Sequence, residues 1–312
     1  MTPDDLTIIV CCNRKDFFMA RICIASIRYY YPTISIELVK DRGNGNFSTR
    51  DIQKHFNVRC SDLGIKKMGW SAAKFHYLLQ APKGKKVLML DADIVFIGPF
   101  LEKLLPLFIE NDYVVDIQKE SDPYSKQVSK DYFETKKIES YDASYKFPGY
   151  FFNAGNIFVT TGVIERERLE DFFDPHHYPF WKNSRLFPMV DQSVYNYLLP
   201  VLAGQKKITL ATGSFMLWSK SERVKSVSIE QIKKKELQCG LVHWAGDAKI
   251  PILKNMTRGD ILKFFESEYF KKIKYSRWKI GRGKIIPFAI SQLRKIRSIL
   301  FPGRRLARSF IK

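Results

Sequence analysis

Two carboxylates one residue apart, Asp91 and Asp93, close the apolar run from Val87 to Leu90. The run reads as a buried strand. It carries both acids to the carboxyl edge of a sheet, where ligands bind in open α/β sheets. Strand alternation cannot bury both acids cheaply, because an unpaired buried carboxylate is very costly. The pair therefore calls for a cation, and hard oxygen ligands suit Mg²⁺ or Mn²⁺, either of which can bridge a diphosphate. A bare D-x-D also reads as a solvated turn or a cap on the following helix. Here the strand before it and the apolar Ile94 to Ile97 after it favour the metal.

Other polar residues stand where the apolar pattern breaks. Asn153-Ala154-Gly155 interrupts the aromatic and β-branched run from Phe151 to Thr160, which predicts a bulge where a ligand comes close. Asp116 ends the run that starts at Tyr113 and reads by itself as a helix cap or a loop carboxylate. Asp191-Gln192 opens a helical pattern containing Val194, Tyr197 and Leu198, so Asp191 could simply cap it. His243 follows Leu241-Val242 at a strand end, a place where a histidine is more often a loop or core residue. Lys74 lies among Ala72, Ala73 and Phe75 on a helical segment, where its stem can snorkel.

The elements that must position these groups alternate as in an α/β domain. Leu6 to Cys12 reads as a strand and Phe17 to Tyr31 as a helix that Asp16 can cap and Pro32 ends. Ile34 to Val39 is a second strand, and Asp41 to Thr49 a loop rich in Gly and Asn. Ser71 to Gln80 is a helix before the D-x-D strand. A helix begins near Pro99 and runs to about Phe108, and Tyr113 to Ile117 is a strand. Lys119 to Lys146 is a polar lobe, Val190 to Leu199 a helix and Gly240 to Trp244 a short strand.

Four segments in order resemble glycosyltransferase family 8, which includes glycogenins and bacterial lipopolysaccharide galactosyl- and glucosyltransferases. They are Val87 to Ile94, Phe152 to Gly155, Asp191-Gln192 and His243 to Lys249, and the likeness covers about residues 6–255. The resemblance implies a GT-A, Rossmann-like nucleotide-sugar-binding domain with a central mixed, mostly parallel sheet. It implies a UDP-sugar donor, transfer with retention, and Mn²⁺ held by Asp91, Asp93 and His243. Ala92, Asp116, Asn153, Ala154 and Gly155 would contact the donor, and so would Lys74. Gly246 and Lys249 would meet the diphosphate, the glycine by close backbone approach and the lysine as a point charge. Asp191 and Gln192 would lie beneath the anomeric carbon, and since Gln is a poor nucleophile its carbonyl would stabilise a cationic sugar. The first strand departs from the family pattern. Cys11 and Cys12 can offer backbone to the base, but Arg14 and Lys15 follow where small or acidic residues are usual.

Net charge is +20, and from Lys271 to Lys312 there are 14 Lys or Arg and no acid, so the charge is concentrated in a tail. Within it Ile286, Ala289, Ile290, Leu293, Ile296 and Leu300 follow helical spacing opposite basic residues, the pattern of an in-plane membrane helix. These features divide the chain into a catalytic domain over 1–256 and a membrane-associating, partly helical tail over 257–312. They predict a peripheral protein on the cytoplasmic face of the membrane, acting on a glycan or lipid-linked acceptor. Five cysteines without a C-x-x-C pair fit reduced thiols, and no RNP-type or zinc signature points to nucleic acid. Acceptor contacts are expected in the 119–146 lobe and the stretch from Asp174 to Pro188. A sugar nucleotidyltransferase is the rival enzyme class, but it wants a Gly-rich loop after the first strand, and no Gly precedes Asp41. A non-enzymatic anion-binding protein would leave Asp91, Asp93 and His243 unexplained.

Overall fold

The computed structural model describes residues 2–64, 70–117, 122–177, 180–237, 240–246 and 252–273. Its strands are β1 (Thr7–Asn13), β2 (Ser35–Asp41), β3 (Val58–Asp62), β4 (Lys86–Asp91), β5 (Ile94–Phe96), β6 (Tyr113–Ile117), β7 (Phe152–Thr160), β8 (Leu210–Gly213), β9 (Met216–Trp218) and β10 (Leu241–His243). Its helices are α1 (Phe17–Tyr30), α2 (Arg50–Phe56), α3 (Trp70–Gln80), α4 (Leu101–Glu110), α5 (Lys126–Asp131), α6 (Thr135–Tyr141), α7 (Arg166–Glu170), α8 (Asp191–Gly204), α9 (Glu222–Lys225), α10 (Ile229–Lys234) and α11 (Gly259–Lys272).

Seven strands form one sheet in the order β3-β2-β1-β4-β7-β6-β8. Four of its six pairings are parallel, and the two made by β7 are antiparallel. The sheet is thus mixed and mostly parallel, as expected. A second, three-stranded sheet runs β5-β10-β9. Strand alternation sends Ile8, Val10, Leu88 and Leu90 to one face, where they pack with α1, α11 and the small sheet. Ile9, Cys11, Val87 and Met89 point to the other face, toward α3, α8 and the lobe formed by α5 and α6. Strands buried on both faces read as continuous apolar runs, which is why the sequence reveals them.

Three features differ from the sequence expectation. The segment after Thr49 continues into α2 and the edge strand β3, whose half-exposed, polar residues carry no apolar run. Asp16 stands at the N-cap of α1, yet its side chain does not cap the helix; it accepts a hydrogen bond from Asn13 Nδ2 at 2.7 Å. The folded body also does not end at 256. Helix α11 buries Ile261, Leu262, Phe265 and Tyr269 in the core and packs along α1. Phe56 stacks on Tyr269 with ring centroids 4.9 Å apart. Residues 274–312, including the amphipathic pattern from Ile286 to Leu300, lie outside the described residues. Among the described residues no helix is long and apolar enough to cross a membrane.

Candidate active site

Strand register brings the site together. Asp91, the last residue of β4, pairs with Cys11 of β1 at the carboxyl edge of the parallel strands. The chain turns through Ala92-Asp93 directly into β5, and β10 pairs with β5 so that His243 faces Ile94. The Trp244 N–H donates to the Asp93 carbonyl at 3.1 Å, which locks the histidine strand beside the acidic turn. On the other side of β4 the ladder with β7 is regular only up to Leu90–Asn156. On the far side of β7, Val115 of β6 pairs with Ile157 but Ile117 pairs with Phe152, so the register slips at Asn153-Ala154-Gly155. That slip is the bulge the sequence predicts, and it folds these three residues over the end of β4.

One oxygen of Asp91, one of Asp93 and a ring nitrogen of His243 lie within 4.8 Å of one another. His243 Nε2 is 3.3 Å from Asp93 Oδ1 and 3.9 Å from Asp91 Oδ2. The histidine is 2 % exposed, and neither of its ring nitrogens has a hydrogen-bond partner. A buried imidazole without a partner is rare, and a cation between these three groups would satisfy it. A Cβ on Gly155 would stand 2.5 Å from His243 Cε1, 2.6 Å from Asn153 Oδ1 and 2.9 Å from Asp91 Oδ2. The missing side chain keeps this point open. The donor set of two carboxylates and one imidazole fits Mn²⁺ or Mg²⁺.

The cluster sits in a cleft of about 450 Å³. Every residue nominated from sequence lines it except Cys12, Lys74 and Asp116, with Lys249 lying outside the described residues. Cys12 is buried in the core beneath, while Cys11 reaches the cleft, its thiol pushed well up by burial. Asp116 Oδ1 accepts the backbone N–H groups of Phe215 at 2.6 Å and Met216 at 2.9 Å. It therefore joins β6 to the β8–β9 turn. Gly246 adopts φ +75° with open space around it, a backbone that favours glycine.

Lys74 neither snorkels nor faces the cleft. It is 1 % exposed, and its ammonium meets Asp91 Oδ1 at 2.7 Å, Asp191 Oδ2 at 3.0 Å and the Ala154 carbonyl at 2.9 Å. Burial disfavours the ammonium, but the Asp191 and Asp91 charges outweigh it and hold Lys74 protonated. Asp191 is fully buried, and burial pushes its carboxyl above the ordinary range against the pull of Lys74. It opens α8 at its first position rather than capping it, and the N-cap is Val190 at φ 44°. A β-branched residue there is strained, and such strain clusters at functional sites. Gln192 Oε1 accepts from Asn153 Nδ2 at 3.3 Å and from the Ala154 N–H at 3.2 Å, and its Nε2 donates to the Asp131 carbonyl at 3.1 Å. One amide thus ties α8, the β7 bulge and the lobe together.

The cleft also takes in Asp16, Asp131, Tyr132, Met189 and Trp218. Asp131 and Tyr132 fall in the lobe expected to meet an acceptor. Trp218 carries no local signal. It stacks on His243, centroids 5.4 Å apart at 16°, because the two are register partners on β9 and β10.

No family profile matches the chain, and no curated protein does. Among solved structures it is similar to the galactosyltransferase LgtC in complex with donor and acceptor sugar analogues, at 15% identity and a TM-score of 0.51, over 88% of this chain and 99% of that one. It is also similar to the bifunctional glycosyltransferase WbbM in its apo form, at 12% identity and a TM-score of 0.51, over 90% of this chain and 51% of that one. GlyE of Streptococcus pneumoniae TIGR4 aligns at 13% identity and a TM-score of 0.48, over 89% of this chain and 64% of that one. On the likeness to LgtC and WbbM the chain has an α/β, GT-A-like fold, and it spans nearly all of LgtC and about half of WbbM.

Proposed function

We propose that this protein transfers a hexose from a nucleotide diphosphate sugar, a UDP-sugar, to a glycan or lipid-linked acceptor with retention at the anomeric carbon. The observation that carries the reading is the convergence of Asp91, Asp93 and His243, whose ring nitrogens make no hydrogen bond, at the carboxyl edge of the sheet, inside a cleft. A GT-A-like fold whose relatives include a galactosyltransferase with bound donor and acceptor analogues supports it.

Asp91, Asp93 and His243 would hold Mn²⁺, or Mg²⁺ in its place. The cation supplies charge neutralisation for the departing nucleotide diphosphate. Cys11 near the end of β1 would offer backbone to the base, and the Gly246 backbone in the cleft would meet the diphosphate. The sugar then lies over Asn153, Ala154 and Gln192, where the Gln192 carboxamide oxygen already accepts from the Asn153 carboxamide and the Ala154 backbone N–H. Asp191 is a poor nucleophile, because it is fully buried and ion-paired to Lys74. Gln192 is a poor nucleophile by chemistry. Both facts favour front-face attack within an ion pair over a covalent glycosyl-enzyme. The basic tail supports attachment to an anionic membrane surface on the cytoplasmic side, and such a place suits a lipid-linked acceptor in lipopolysaccharide or polysaccharide synthesis.

The test is a panel of nucleotide sugars with and without Mn²⁺. One UDP-sugar should raise the melting temperature and be slowly hydrolysed, only with metal present. Asp91→Ala and Asp93→Ala should reduce hydrolysis to background while keeping the circular dichroism spectrum. Full turnover in excess chelator, or in either variant, overturns the metal-dependent reading.

A further inference from the structure

One buried ammonium touches three segments that meet at the site. Lys74 Nζ reaches Asp91 Oδ1 at the end of β4, the Ala154 carbonyl in the β7 bulge, and Asp191 Oδ2 in the first turn of α8. An ammonium has three protons to donate, and these three acceptors lie 2.7 to 3.0 Å away. The side chain is 1 % exposed and does not line the cleft, whereas the Asp91 carboxylate that it holds does. The two oxygens of Asp91 are thereby distinguished. Oδ1 is occupied by Lys74. Oδ2 faces inward, 3.9 Å from His243 Nε2 and 2.9 Å from where a Gly155 Cβ would stand.

We propose that Lys74 is a positioning residue. It fixes the Asp91 carboxylate so that Oδ2 is presented to the cation, and it couples that ligand to Asp191 and Gln192 on α8. The proposal rests on the metal reading above. A carboxylate at a strand end has a free torsion and can rotate its oxygens, whereas an ion pair in a dry site holds one geometry. Groups behind a metal ligand orient it, and their loss typically weakens metal affinity or activity by about 10- to 100-fold. A purely electrostatic role predicts the opposite sign. Removing a positive charge next to Asp91 would by itself make the site more attractive to a cation.

The experiment is Mn²⁺ titration of the full chain without donor, followed by electron paramagnetic resonance of the free ion, with folding checked by circular dichroism. Lys74→Met keeps the length of the side chain and removes its charge. Its half-saturating Mn²⁺ should rise by about 10- to 100-fold, and kcat for donor hydrolysis should fall more than KM changes. Lys74→Arg, which can donate to the same acceptors, should recover most of the affinity. Lys74→Met leaves Asp191 buried without its partner and can unfold the chain. The double variant Lys74→Met/Asp191→Asn removes both charges together and should still bind Mn²⁺ weakly. Unchanged or tighter Mn²⁺ binding in a folded Lys74→Met chain or in the double variant overturns the positioning role. Wild-type protein that takes up no Mn²⁺ overturns the metal reading itself.

Discussion

At the scale of single residues, Gly155 decides whether the site can exist. It is not a turn glycine. Its value is the space where a Cβ would strike His243, Asn153 and Asp91, all between 2.5 and 2.9 Å. A methyl group there must push two ligands apart or push β7 away from β4. Overpacking of this kind typically costs about 1–3 kcal/mol. Gly155→Ala should therefore lower the melting temperature by a few degrees and weaken Mn²⁺ binding by about tenfold or more, on the scale of a displaced ligand. A folded Gly155→Ala protein with wild-type Mn²⁺ affinity would mean the two acids and the histidine do not share a cation. The sequence made this residue conspicuous only as a polar-and-glycine break in an aromatic strand. What the break was for depends on His243, 88 positions away, and no local pattern carries that.

At the scale of elements, the readable parts were those buried on both faces. β1, β4 and β6 are continuous apolar runs, and the two acids after Leu90 mark where β4 leaves the core. The edge strand β3 and the half-polar α11 were not readable, because their burial comes from neighbours and not from their own composition. Two nominated side chains moved for a related reason. Lys74 and Asp116 are charged residues at apolar-pattern positions, and sequence cannot tell a buried charge with partners from one that reaches a ligand. The stack of Trp218 on His243 follows from strand register alone. Asp116 gives an element-scale prediction. Its Oδ1 accepts two backbone N–H groups from the turn that starts β9, the strand carrying Trp218. Asp116→Ala leaves both donors buried, at about 1–3 kcal/mol for each unsatisfied group. It should lower the melting temperature markedly, while Asp116→Asn, which keeps the oxygen, should lower it far less. If the two variants are equally stable and both lose donor affinity, Asp116 contacts the sugar rather than joining the strands.

At the scale of the whole molecule, the question is where the folded body stops and the charged tail begins. The motif-bearing segments end near 255 and drew the line at 256, although the acid-free basic run begins only at Lys271. Packing carries the folded body at least to Ile273. Ile261, Leu262, Phe265 and Tyr269 are each buried in the core on a helix that packs along α1, and Tyr269 also stacks on Phe56 of α2. Side chains of this kind contribute about 1.5–3 kcal/mol each on burial, together comparable with the whole stability of a domain, about 5–15 kcal/mol. A chain cut after Met256 should fail to fold, with no cooperative melting transition. A chain cut after Ile273 should fold and hydrolyse donor like the full protein. The segment it lacks holds 12 Lys or Arg and no Asp or Glu. Each basic residue near an anionic leaflet contributes about 1 kcal/mol, and the attraction is screened over about 8 Å at physiological ionic strength. Full-length protein should therefore co-sediment with vesicles containing phosphatidylglycerol, less so as salt is raised, and not with neutral vesicles. The chain ending at Ile273 should stay in the supernatant in every case. Should that shorter chain bind the anionic vesicles as well as the full one, the contact lies on the folded body. The exposed lysines that end α10 and α11, Lys233, Lys234, Lys271 and Lys272, are then the next to replace.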